Sequence, residues 1–114
     1  MKKVILIILP LLFFAFINAS MIPTSLRITV LDELGNIVEG AKVDLYASES
    51  DYENSSNSVQ ESQYTDEKGK VTFKNLNKTK YWVNVEKGDK NNYGAGVEVE
   101  LTPKKLNKSN IVIE

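Results

Sequence analysis

Few residues of this chain could do chemistry. In the string DKNNYGAG, Asp89 and Asn91 precede Gly94, and Glu100 follows Asp89 by eleven positions. That spacing echoes a calcium loop, in which alternating oxygen ligands and a turn glycine are closed by a final acid. Tyr93 stands where a third oxygen ligand belongs, and the flanking pattern is strand, so a solvated turn is the competing assignment. Trp82, the single tryptophan, is the other candidate. An exposed indole beside Asn84 could stack on a sugar or meet a partner protein, unless a loop or Tyr46 covers it. Glu49, Asp51 and Glu53 alternate and could collect a cation, although such charge runs usually belong to solvated loops. Asp66 with Glu67 or Asp44 would be an acid–base set made of carboxylates alone, and nothing in their spacing specifies a pocket.

Composition removes most other chemistry. The chain has no cysteine and no histidine. Disulfides, thiolate sites, thiol nucleophiles and any Ser-His or Cys-His arrangement are therefore impossible. A formal charge of −1 gives no basic footprint for nucleic acid. No cofactor is implied.

The elements that must position these residues begin after residue 19. Lys2 and Lys3, the apolar run of 14 residues from Val4 to Ile17, and Asn18-Ala19-Ser20 form an export signal over residues 1–19, with cleavage after Ala19. An uncleaved anchor is the alternative, but the run is shorter than the ~20 residues that span a bilayer. Once the signal is removed, no stable membrane span is expected. No cysteine follows the run, so lipid attachment of the bacterial lipoprotein kind is closed to it. Residues 20–25 are a leader and 26–114 the domain.

Within the domain the side chains alternate. Leu26, Ile28 and Val30 face inward on a first strand, and Ala41, Val43, Leu45 and Ala47 on a second, opposite Lys42, Asp44 and Tyr46. Ile37 and Val38 re-enter the apolar layer between them. Residues 49–58 read as a polar loop, and 59–65 as a weak edge strand. Thr65 to Gly88 reads as turn, strand, loop, strand. Asp66-Glu67-Lys68-Gly69 makes the turn; Val71 and Phe73 point inward, then Tyr81, Val83 and Val85, with Trp82, Asn84 and Glu86 outside. Val97, Val99 and Leu101 form another strand before Pro103. Lys104 to Asn110 is a basic connector, and Ile111 and Ile113 a short last strand. About seven short strands with frequent turns predict an antiparallel β-sandwich.

Val30-x-Asp32, Gly35-Asn36, Gly40-Ala41-x-Val43-x-Leu45, Thr65-Asp66-x-x-Gly69-x-Val71-x-Phe73 and Tyr81-x-Val83-x-Val85 together resemble the carboxypeptidase regulatory-like domain, a prealbumin-like (transthyretin-like) sandwich of exported bacterial proteins. The resemblance implies an accessory, adhesive or structural unit; its name does not imply peptidase activity, and no zinc-binding catalytic domain is expected. The pattern also resembles the repeat domains of Gram-positive surface adhesins and pilins, some of which carry a lysine–asparagine isopeptide crosslink. That resemblance requires a lysine where this chain has Val30 in Val30-Leu31-Asp32. Arg27 cannot replace it as a nucleophile, because guanidinium stays protonated. Asn110 and Glu86 remain without their lysine.

The sequence thus predicts an all-β protein: a single antiparallel seven-stranded Greek-key-type β-sandwich, prealbumin-like, after an N-terminal signal helix. It is expected to be non-enzymatic, exported to the periplasm or beyond, and to bind or support an envelope protein or a glycan. The alternative is a carbohydrate- or calcium-binding accessory protein using Trp82 or the Asp89–Gly94 loop.

Overall fold

The computed structural model describes residues 22–93 and 96–114. The expected signal helix over residues 1–19 lies outside them, as do Ser20 and Met21 of the leader. The first strand, β1, starts at Thr24, two residues before the expected domain boundary.

Eight strands occur among the described residues, where the sequence predicts seven. They are β1 (Thr24–Asp32), β2 (Lys42–Tyr46), β3 (Gln63–Tyr64), β4 (Lys70–Leu76), β5 (Lys80–Lys87), β6 (Lys90–Asn91), β7 (Glu98–Glu100) and β8 (Leu106–Ile113). One sheet, A, has the order β4-β1-β8. The other, B, has the order β3-β2-β5, with β6 and β7 sharing the far side of β5. The two sheets bury the alternating residues between them. Leu26, Ile28, Val30, Val43, Leu45, Phe73, Val83, Val85 and Ile113 are all 0 % exposed. Alternation works here because successive side chains on a strand point to opposite faces, and only one face meets the other sheet.

Two turns carry the recognisable sequence motifs. Asp32 Oδ1 accepts from the amides of Leu34 (3.0 Å) and Asn36 (2.9 Å). Asp66 Oδ1 accepts from those of Lys68 (2.8 Å) and Lys70 (3.0 Å). Each aspartate closes its own turn by satisfying amides that the strands leave unpaired. These bonds hold both carboxyls below the ordinary carboxylate range, chiefly through the amide of Asn36 for Asp32 and of Lys70 for Asp66. Thr65, just before the second turn, is buried; its Oγ1 accepts from Ala41 N–H (2.9 Å) and donates to Val38 O (2.6 Å). That bond pair ties the β1–β2 link to the β3–β4 link.

Several expectations need correction. The sandwich is not wholly antiparallel: β1 and β8 run parallel, from Ser25 beside Leu106 to Asp32 beside Ile113. Strand β8 begins at Leu106, so the expected connector over Lys104–Asn110 is mostly strand. Its polar residues lie on a sheet edge, where backbone pairing with β1 defines the strand and apolar alternation does not. The weak strand expected over 59–65 shrinks to Gln63–Tyr64. The insert expected as a loop contains a short helix, α1 (Glu49–Glu53), capped by Ser48, whose side chain accepts from Asp51 N–H at 3.1 Å. Ile37 is 54 % exposed and bridges Leu31, so only Val38 of that pair packs on the core.

Candidate functional site

The outer face of sheet B gathers the polar and aromatic residues that alternation turns away from the core. In the antiparallel β2–β5 pair, Lys42 lies opposite Glu86, Asp44 opposite Asn84, and Tyr46 opposite Trp82. This face would be solvated if nothing lay over it. The insert after β2 folds back and covers half of it. Tyr52 of α1 meets Tyr46 edge-on, ring centroids 6.0 Å apart, and Tyr93 meets Tyr52 at 6.4 Å. Burial, then the nearby Asp44 carboxylate, raises the Tyr46 hydroxyl above its ordinary range; burial raises Tyr52 likewise. The Ser62 hydroxyl donates to Asp44 Oδ1, and Lys42 Nζ lies 3.9 Å from Asp44 Oδ2. Asp44, Tyr46 and Asn84 are all buried, although alternation points them outward. Asn84 Oδ1 is buried without a hydrogen-bond partner among the described residues.

Trp82, opposite Tyr46 across the β2–β5 pair, is half-buried. With Ala47, Asn77, Lys78, Thr79 and Lys80 it lines an open cleft of about 430 Å³. Lys80 Nζ stands 5.6 Å from the centre of the indole and 2.6 Å from Glu98 Oε1. The hydrogen bond with Glu98 raises the Lys80 ammonium above its usual range. An apolar ring edged by paired donor and acceptor groups is the usual surface for a sugar ring, whose faces are apolar and whose rim is hydroxyl.

The calcium-like set is not brought together. Asp89 lies at the tip of the β5–β6 hairpin, and Asn91 pairs with Glu86. Asn91 Oδ1 already accepts from Tyr93 N–H at 3.0 Å. Glu100 pairs with Lys80 on β7, six residues along β5 from Glu86; at ~3.3 Å per residue that is roughly 20 Å away, too far to share an ion. No group of three or more acidic metal ligands occurs among the described residues. Of the other carboxylates, Asp66 is occupied by its own turn and Asp44 by Ser62, at separate places. Glu49, Asp51 and Glu53 lie on α1, where Glu49 and Asp51 favour the positive end of the helix.

At the position where the adhesin-like pattern would need lysine, Val30 is fully buried beside Ile111 of β8. Asn110 and Glu86 are exposed on different sheets. An aliphatic contact fills the place a crosslink would take.

Asn92 has a structural role that its sequence context did not reveal. It is 0 % exposed, accepts from Val85 N–H (3.0 Å) and donates to Val83 O (2.9 Å) and Gly96 O (3.2 Å). Its amide thus completes the edge of β5 in the gap between β6 and β7. Nothing in DKNNYGAG distinguishes Asn92 from Asn91, because the difference lies in which one faces that gap.

The fold has counterparts among known proteins. The family model "SpaA: Prealbumin-like fold domain" matches residues 24–112. No curated protein matches the sequence. Among solved structures, a streptococcal ancillary pilin superposes with a TM-score of 0.64 at 18 % identity, over 82 % of this chain and 33 % of that one. The Bacillus anthracis TIE protein does so with 0.54 at 19 % identity, over 81 % and 17 %. BcpA, the major pilin subunit of Bacillus cereus, does so with 0.52 at 15 % identity, over 82 % and 30 %. The chain thus spans a third or less of the length of each of these proteins.

Proposed function

The chain belongs to the SpaA prealbumin-like fold domain family, and from that premise we propose that it is a non-enzymatic, exported structural module of the bacterial cell surface. The observation that carries the proposal is the parallel β1–β8 pair. Because the two strands run side by side in the same direction, Thr24 and Ile113 lie at opposite poles of the domain. Tension applied between the poles loads the eight register pairs from Ser25–Leu106 to Asp32–Ile113 in shear, together and not one by one. A domain that joins partners end to end benefits from that geometry. A carboxypeptidase regulatory-like module would have the same accessory role, so both resemblances lead to one proposal.

The test is single-molecule stretching with paired attachment points. Handles at Thr24 and Glu114 load the pair in shear, whereas handles at Thr24 and Leu106 peel it from one end. The shear arrangement should need clearly the higher force, and equal forces would refute a load-bearing role. Fractionation of the expressing host should recover the protein outside the cytoplasm.

A second reading is favoured by the Trp82 cleft: carbohydrate binding, with the indole as platform and Lys80, Glu98 and Asn77 as hydroxyl partners. A glycan array probed with the protein and with Trp82→Ala decides it. Glycan signal lost in the variant supports it; silence from both refutes it.

A further inference from the structure

Both sheets end in an open edge on the same side of the domain. On β8 the Ser25 N–H bonds to Lys105 O at 3.0 Å, so the odd-numbered residues turn their backbone groups to β1. Leu106, Lys108, Asn110 and Val112 therefore turn theirs outward. Glu114 uses that direction to exchange two bonds with Asn91, at 3.2 and 3.0 Å, which closes the sandwich at one end only. On β7, Val83 N–H bonds to Val97 O and Leu101 N–H to Thr79 O, both at 2.7 Å, so Glu98 and Glu100 turn their backbone groups away from β5. Among the described residues no strand pairs with either outer side. The two edges face each other across a groove of about 660 Å³, floored by Leu26, Val99, Leu101 and Leu106. Open edges of this kind are templates for strand pairing.

The charges on the two edges are opposite. Strand β7 carries Glu98 and Glu100, of which Glu98 is already paired with Lys80. Strand β8 and the turn before it carry Lys104, Lys105 and Lys108, all exposed. Lys105 and Lys108 line the groove together with Glu98 and Glu100. We propose that this edge is a self-association surface whose occupant is a second copy of the chain. The copies are related by a two-fold axis that runs along the strands, so that β8 of each meets β7 of the other. This axis keeps every residue at its own level and sets Lys108 against Glu100 of the second copy. It also joins sheet A of one copy to sheet B of the other. The alternative axis, perpendicular to the sheets, would put lysine against lysine and glutamate against glutamate, and charge excludes it. The interface rests on backbone pairing and exposed charge, so it is salt-sensitive.

Sedimentation velocity on the protein, purified in the form that accumulates on expression, tests this over a range of concentration and salt. The expected result is a concentration-dependent dimer that weakens as salt rises. Glu100→Lys and Lys108→Glu, taken singly, each turn two symmetry-related attractions into repulsions and should weaken the dimer by about tenfold. The two substitutions combined in one chain should restore it. Both positions are exposed, and circular dichroism of each variant is the control for folding. A protein that stays monomeric to millimolar concentration, a dimer that tightens with salt, or a combined variant that fails to recover would each overturn the proposal.

Discussion

Gly69 is the residue on which the structure makes its sharpest quantitative demand. It closes the Asp66 turn at φ +73° and its carbonyl accepts the Val30 N–H at 2.8 Å, which places its Cα directly against β1. A Cβ there would lie 3.1 Å from Val30 O, 3.1 Å from Ile37 Cβ and 3.3 Å from Val38 N. Ile37 Cβ is set by its own backbone, so no rotamer carries it aside. Val30 O is fixed as well, because it is backbone that also accepts from Val38 N–H at 2.9 Å. Gly69→Ala therefore carries two costs. The left-handed backbone costs an L-residue about 1–2 kcal/mol. The forced contact adds about 1–2 kcal/mol, as overpacking against an unyielding neighbour does. The sum is about 2–4 kcal/mol, or roughly 10–30 °C of melting temperature in a domain of this size. Gly88 is an internal control. It has φ +60° but nothing within 4 Å of where an alanine Cβ would stand, so Gly88→Ala should show the backbone cost alone. Urea unfolding of both variants separates the two costs: the midpoint should fall about twice as far for Gly69→Ala, with the slope unchanged. Equal losses at the two positions would refute the close approach of the turn to β1.

Further outcomes follow from individual bonds. Asn92→Ala should cost about 1–3 kcal/mol in urea unfolding, since Val85 N–H loses its partner in a buried place. Tyr81 is 1 % exposed and its hydroxyl accepts from Asn77 and Lys78 amides at 3.2 and 3.0 Å. Tyr81→Phe should cost about 1–2 kcal/mol and speed amide exchange at those two positions first. The lowered carboxyls of Asp32 and Asp66 fix the sign of an acid effect. Their folded values lie below their unfolded ones, so their stabilisation is complete above the ordinary carboxylate range and is lost as pH falls through it toward the folded values. The Asp32→Asn, Asp66→Asn double variant should be less stable at neutral pH and lose less between neutral and acid, as read from denaturation midpoints across pH.

What the sequence by itself determined is the inward face. Val71 and Phe73, and Tyr81, Val83 and Val85, alternate because the opposite sheet must be met by apolar side chains wherever it lies, and that demand is written into each strand separately. The Asp66–Gly69 turn was legible because it closes within four residues. Trp82 was correctly placed outside the core by alternation, though its half-buried state and its neighbours were not legible. Only the tertiary structure decided what lies beside and above the strands. The polar string from Leu106 to Asn110 is a strand because β1 stands next to it, and its parallel direction depends on where the β7–β8 connection crosses. Asp44 and Tyr46 are buried because α1 and Ser62 fold back over an outward face. Glu100 leaves the calcium-like spacing because the register of β7 on β5 carries it to the other end of the strand. Side-chain alternation records how deep a residue sits, whereas neighbours across a sheet are chosen by backbone pairing between segments far apart in the chain, which leaves no periodic trace in either one.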